Sequence, residues 1–414
     1  VFFSILLIVS DIFFILIYSL EIDFSITGSI FIFCLCTTPY FIWRTLAMAF
    51  DQGSLTFRIC RLPQPMPEDT IDRFAQFVAP PLDTVTDEPS WGWVSPRHLL
   101  DTRIDETTVK VAGHYHACLR QAQRKIPSSL LTAECRMVEL SRMAERNVEQ
   151  LNRKERKTIK EEVKQNLLSQ MPPQLTGIDL AIDNSENLLY VTAASQSQLD
   201  VFLGFFTKTF GFEPIPLTPD LAAQELFELD PQAVPQLCIS PENLMQEQNS
   251  TLGQNFLTWL WHYQESHDGA LPPSKLGDFS ILIDGPLSLV AEGAGAFETS
   301  LKKGLPTISA EAKAALTTGK KLKKAKIIIA RDEGDQWVFT LDADEFVFRG
   351  LKLPEGETAL DNISIFEDRM TNLFIFQSVF FGLYQKFLME MTDEKKALDY
   401  QNSAREWIRN REAR

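Results

Sequence analysis

Ser54–Arg61 (SLTFRICR) alternates polar and apolar side chains, and that two-residue period predicts a half-buried strand. Pro63, Pro65 and Pro67 then mark a turn ahead of an amphipathic helix near Glu68–Val78. Trp91-Gly-Trp-Val-Ser-Pro96 reads as a compact aromatic turn, and Val109–Arg120 as a strand leading to Ile126-Pro-Ser-Ser129. A long helix is expected over 128–173, with Ser128 or Ser129 as its N-cap. Leu140, Met143, Leu151, Ile159, Val163 and Leu167 recur along it at roughly helical spacing, and Pro172-Pro173 end it. The rest of its surface is densely charged, so it should project as an arm or lie across the surface rather than be wrapped by a core.

Farther on, Ile178–Asp183 and Leu188–Thr192 flank a turn at Asn184–Asn187, a β-hairpin followed by a helix over Gln196–Phe210. Pro214–Gln248 is acidic and proline-punctuated and reads as irregular. Asn255–His262 (NFLTWLWH) fits a short aromatic-rich helix or strand. Phe279–Ile283, Lys326–Ala330, Trp337–Leu341 and Phe346–Leu351 have the pattern of antiparallel strands, and a final apolar helix over Ile363–Met389 precedes a charged tail. The expected class is α+β, with antiparallel sheets and a long charged helical arm; no internal repeat is evident.

Residues 1–47 stand apart. Val1–Leu20 and Phe24–Trp43 are apolar runs of near-spanning length, with Glu21 and Asp23 between them. A signal peptide fits poorly, because a basic leading region and a small-residue cleavage site are missing. Two readings remain: a membrane hairpin, or translated upstream sequence, rich in the Phe, Ile, Leu and Ser that T-rich DNA encodes. On the second, favoured reading, Met48 opens the working protein with Met-Ala-Phe-Asp-Gln-Gly-Ser-Leu-Thr-Phe.

Composition narrows the function. The 414 residues can bury a large core, and a formal net charge of −15 excludes a protein basic all over, as a histone-like one would be. Nucleic-acid binding stays open, because it depends on where the cations sit. Lys302, Lys303, Lys313, Lys320, Lys321, Lys323, Lys324 and Lys326 form the densest basic cluster, with Glu311 the lone acid among them. Non-specific DNA binding needs little more than such cations spaced to meet phosphates; a solvated loop beside an edge strand would also suit them. Arg153, Lys157, Lys160 and Lys164 are spaced to share one helix face, a second candidate, with Glu155, Glu161 and Glu162 interleaved. The six cysteines are scattered without a CxxC pair, which suits a reducing cytosol and argues against structural zinc.

Enzymatic readings are weaker. Asp342-Ala-Asp-Glu345 could converge on Mg²⁺ in a nuclease, though its place between two strands suits a solvated turn. His114 and His116 share one strand face with no third ligand nearby. Gly319-Lys320 is no P-loop, since Ala314 stands at the earlier glycine position and Lys321 at that of Ser/Thr. Trp259, Trp261 and Tyr263 could stack bases, but core or interface packing is the default for such a run.

The succession of motifs is specific where each one is not. Gly92-Trp93-Val94 comes first, then Ile126-Pro127-Ser128, Lys160-Glu161-Glu162-Val163, Leu167-Leu168 and Ile182-Asp183. Pro214-Ile-Pro-Leu217, Lys302-Lys303, Gly319-Lys320 and Leu351-Lys352-Leu353 follow. In this order, over about 48–390, the chain resembles the RdgC family of recombination-associated proteins. The resemblance implies a non-enzymatic subunit without cofactor or metal, pairing as a homodimer into a closed ring. Duplex DNA would thread a basic hole without sequence preference, restraining the RecA recombinase, in the cytoplasm at the nucleoid. Three features depart from the family: the loop Ser169-Gln-Met-Pro-Pro-Gln174, a larger insertion through 214–275 ahead of the 276–390 sheet-and-helix region, and an additional tail over 391–414. A membrane-anchored scaffold and a metal-dependent nuclease are the alternatives.

Overall fold

Strand β1 (Leu55–Arg61) is buried on both faces, and the rest of the chain is arranged around it. In this computed structural model the described residues are 49–242, 250–291, 297–331, 334–354 and 361–411. The expectations for 1–47 therefore lie outside the described residues. From Met48 onward the chain forms one unit.

Along the chain, β1 is followed by helix α1 (Thr70–Gln76), β2 (Ser90–Val94), β3 (Lys110–Val111) and β4 (His114–Arg124). Helices α2 (Ser128–Arg146) and α3 (Arg153–Gln170) lead to β5 (Pro173–Asp183), β6 (Leu188–Val191) and α4 (Gln196–Phe210). Next come β7 (Ile215–Pro216), α5 (Pro219–Phe227), α6 (Leu252–Ser266), β8 (Phe279–Val290), β9 (Glu298–Leu301) and α7 (Ala310–Thr317). Strands β10 (Lys321–Arg331), β11 (Gln336–Asp342) and β12 (Val347–Lys352), then helices α8 (Asn362–Met391) and α9 (Glu394–Asn410), complete the α+β fold. The strands form one antiparallel sheet in the order β2-β4-β5-β6-β1-β12-β11-β10-β8-β9, with β3 beside β4 and β7 beside β1.

Helices cover the two faces of this sheet in different places. Leu55, Phe57 and Ile59 of β1 point into a core shared with α6, α8 and α9. There Phe57 stacks on Phe348 at 5.1 Å between ring centroids, and Phe376 meets Phe348 edge-on at 5.2 Å. Cys60 points the other way, into a core closed by α1 and α4, where Trp93 donates its indole N–H to Thr209 Oγ1 at 2.9 Å. A two-residue period with both faces apolar or partnered satisfies the two cores at once.

Several sequence expectations change. The helix expected over 128–173 is an antiparallel hairpin, because Asn147 turns left-handed (φ 52°) and ends α2. Asn152 and Glu155 then form a reciprocal capping box that starts α3. Ile159, Val163 and Leu167 of α3 pack on Leu130, Leu131, Val138 and Met143 of α2 in a small core of their own. Gly92-Trp93-Val94 lies within strand β2 rather than in a turn. The acidic segment 214–242 is ordered against the main core through Leu217, Ala222, Val234, Leu237 and Ile239; its remainder, 243–248, lies outside the described residues. Pro219 begins α5 behind the Thr218 N-cap instead of breaking structure. Asn255–His262 is helical, and Trp259 and Trp261 are core residues.

Gly92 shows why that motif needs glycine: a Cβ there would lie 2.2 Å from the Ala79 Cα, on backbone that Trp93 bonds from both its N–H and its C=O. Gly92→Ala should lower unfolding stability by about 1–3 kcal/mol through overpacking. Gly204→Ala, where a Cβ on α4 meets open space, should raise it by up to about 1 kcal/mol. Urea midpoints measure both, and a neutral Gly92→Ala would refute the close-approach account.

Candidate nucleic-acid interface

The eight clustered lysines do not share one surface. Lys302 and Lys303 are exposed in the loop after β9. Lys313, on α7, donates to the Arg411 and Arg409 carbonyls at 2.7 and 3.3 Å, a cation placed at the negative end of α9. Lys320 donates to Thr299 Oγ1 at 2.7 Å. Lys321 points inward and is 2% exposed, donating to Ser250 Oγ at 2.7 Å and to Asn255 Oδ1. No carboxylate meets it among the described residues, and burial pushes its ammonium down to about 7. Lys323, Lys324 and Lys326 pair with Asp344, Asp342 and Asp284 at 2.8, 2.9 and 2.9 Å.

Those partners lie on β8, at the end of β11 and in the turn that follows it, far enough in sequence that charge spacing along the chain conceals them. The same pairing accounts for Asp342-Ala-Asp-Glu345. Burial opposes the Asp344 charge, but hydrogen bonds from Lys323, Thr251 and Gln254 hold its carboxyl below the usual range. Glu345 pairs with the buried Arg58 of β1 at 3.2 Å. Among the described residues no group of three or more His, Cys, Asp or Glu side chains is placed to hold a metal ion. His116 is stacked on Phe366 at 4.8 Å and burial depresses its imidazole to about 3; His114 lies 3.9 Å from Asp183.

The helical hairpin keeps its cations outside. Arg153, Lys157, Lys160 and Lys164 are all exposed, along one flank of the Ile159–Val163–Leu167 stripe. Lys164 reaches Asp87, Lys157 lies 3.7 Å from Glu161, and Arg142 and Arg146 of α2 pair with Glu162 and Glu155 of α3. Arg153, Lys154, Arg156 and Lys160 have no ion pair among the described residues. Over 124–171 there are eleven Lys and Arg against seven Glu, a net of +4 in a chain of net −15. Arg153, Lys154, Arg156 and Lys157 crowd the first turns of α3, where the helix dipole is positive and cations are unfavourable. Sequence spacing finds Arg153 and Lys157 but passes over Lys154 and Arg156, because the hairpin turn that brings these four to its tip is not expected.

A family model described as "Putative exonuclease, RdgC" matches residues 57–227, from β1 to the end of α5. The recombination-associated protein RdgC of Sodalis glossinidius (strain morsitans) is 32% identical over 136 residues, 31% of this chain and 41% of that protein. Those of Yersinia enterocolitica and Yersinia pestis (strain Pestoides F) are each 29% identical over 128 residues, with the same shares. The chain thus aligns with about two fifths of the length of these relatives. The family-model match contains the hairpin and stops before Lys302–Lys326, a narrower span than the motifs at 48–390 imply. Through its β1–α5 portion, the chain is similar to the RdgC family.

Proposed function

We propose that this protein binds duplex DNA without sequence preference, as a homodimeric ring, and restrains RecA in recombination, without catalysing a reaction. One observation carries the reading: the matched segment concentrates exposed, unpaired cations at the α2–α3 hairpin, against both the local helix dipole and the acidity of the whole chain. Cations kept where they disfavour the helix suit an anionic ligand, and a row of phosphates is the anion that a non-specific DNA binder meets. Lys302 and Lys303 form a second, smaller contact. The Asp342–Glu345 turn serves as counter-charge to Lys323, Lys324 and Arg58, which favours a binding role for this half over a catalytic one. Among the described residues no helix is long and apolar enough to cross a membrane. Cytoplasmic, nucleoid-bound protein is the expected location, and a membrane scaffold would have to rest on residues 1–47.

The test is salt-dependent DNA binding. Affinity should fall with a log–log slope of about −0.9 per neutralised phosphate. Changing Arg153, Lys154, Arg156 and Lys157 together to Glu should weaken binding to all duplexes alike and flatten the slope by up to about 3.6, leaving the fold intact because acids suit that helix end. Lys302→Glu with Lys303→Glu should cost less. A folded hairpin variant with unchanged affinity and slope would overturn the assignment. A strictly monomeric protein of full affinity would exclude the ring. Mg²⁺-dependent cleavage of the bound DNA would replace the binding role with the nuclease one.

Lys321 is the buried lysine of the cluster. Its amine is held near 7 in the fold and near 10.4 when unfolded, so the unfolded chain binds the extra proton between those values. Stability should therefore rise as pH climbs from about 7 to about 10. Lys321→Met should raise the urea midpoint at pH values below about 7, with the gain fading towards pH 10. A pH-independent gain would mean that the buried amine is not the titrating group. Lys321→Glu should unfold the protein rather than report on DNA.

A further inference from the structure

The turn over 49–53 is held to the body at its backbone. Arg369 of α8 donates to the carbonyls of Phe50, Gly53 and Ala49 at 2.7, 2.9 and 3.3 Å. Phe50 is buried with its ring edge-on to His116. The Ala49 nitrogen donates to Asp179 Oδ2 at 2.8 Å. Asp179, on β5, is 6% exposed, and its Oδ1 has no nitrogen or oxygen partner among the described residues.

Charge around that contact is out of balance. Asp51 adds a second carboxyl within electrostatic reach of Asp179. Arg369 is the cation acting on Asp51, and its guanidinium hydrogen bonds to the three carbonyls are already formed. Burial, then the Asp179 charge, push the Asp51 carboxyl up to about 6; burial likewise raises that of Asp179. The Cys118 thiol of β4 hydrogen bonds the Asp179 carboxyl, and it and the nearby His116 imidazole are neutral, because burial raises the first and lowers the second. The Ala49 amide N–H therefore faces a buried carboxyl whose ionisation burial opposes, which has no cation paired with it among the described residues and a second carboxyl nearby. One more positive charge at the Ala49 nitrogen would balance two carboxylates against two cations.

We propose that this site is a receptor for a free amino terminus at Ala49, whose α-ammonium forms a buried ion pair with Asp179. The bond that must break is the Met48–Ala49 amide. Water adds OH to the Met48 carbonyl and H to the Ala49 nitrogen, and the amine takes a further proton from solvent. A methionine aminopeptidase performs this reaction on a chain started at Met48, since the small Ala49 side chain fits the position after the scissile bond. The ammonium then has three N–H donors where the amide has one, enough to give Oδ1 a nitrogen partner as well as Oδ2, and its charge favours the ionised carboxyl that burial opposes.

The test compares Met48–Arg414, the unit with its own closed core, in two forms. One starts at a free Ala49 amine; the other carries Gly-Ser ahead of Ala49. With Asp179 present, the free-amine form should melt about 5 °C higher, the size expected for completing a buried pair in a chain of this length. With Asp179→Asn the two forms should melt together. The gap should also close as pH rises through the amine's value, raised above its usual 7.7–8.0 by the carboxylate. Intact mass of protein expressed from the full 414-residue reading frame should place the first residue at Ala49, unacetylated. Equal melting of the two Asp179 forms overturns the proposal even where Asp179→Asn fails to fold; a mature protein beginning elsewhere does so independently.

Discussion

A strand with no solvent face must find a partner for every side chain it carries, and β1 is such a strand. Leu55, Phe57 and Ile59 enter one core and Cys60 the other, leaving Arg58 buried between sheet halves at 4% exposure. An unpaired guanidinium there would cost several kcal/mol, so Glu345, from the turn joining β11 to β12, is positioned to meet it. That requirement ties the position of β12 to the side chains of β1. Pairing follows the same division: the start of β1 ladders with β12, its end with β6 and β7. The two cores are thus one structure, with α8 and α6 supporting one face while α4 and α1 support the other.

The same logic governs charge in the C-terminal half. A lysine-rich strand at the centre of a sheet would repel itself if its cations were left alone. Strand β10 places Lys324 and Lys326 on the face away from the α6–α8 core, opposite Asp342 and Asp284 of its two neighbours. Lys321 takes the core side at the strand's start and is held by Ser250 and Asn255, neutral acceptors that stabilise its charge less well than a carboxylate does. A run that looks like one basic patch along the chain is therefore three ion pairs, one buried amine, a helix cap and the Lys320–Thr299 hydrogen bond, with Lys302 and Lys303 left exposed.

What the sequence carries is local. The alternation of β1, the β5–β6 hairpin and the boundaries of α4 are readable because period and caps lie within a few residues, Ser195 and Gln198 capping α4 reciprocally. Asn147 and the Asn152–Glu155 box were also present in the sequence, but continuous helical spacing of the apolar residues obscured the turn between them. Pro219 misleads in the opposite direction, since a proline at the first helical position has the same composition signal as a loop. Partners such as Asp284 for Lys326, or Glu345 for Arg58, are set by sheet register and cannot be read from spacing along one strand. Burial of Trp259 and Trp261 was expected by default, but their helix was not distinguishable from a strand over eight residues.

Register also explains how an acidic protein can present a basic site. Strands β4 and β5 pair at ten positions, down to Arg124 opposite Pro173, and the hairpin begins within a few residues of that end. Arg124 fastens the base through hydrogen bonds to Val85, Leu82 and Met171, and Lys164 adds a contact to Asp87. Helix α3, of 18 residues, then spans about 27 Å at 1.5 Å per residue, with its crowded cations at the far end. Screening at physiological salt decays over about 8 Å, a fraction of the length of α3. A phosphate approaching the tip feels the hairpin's own charge first. On the proposed reading, the net of −15 disfavours an anion along most of the surface without opposing one at the hairpin, whose own segment carries +4.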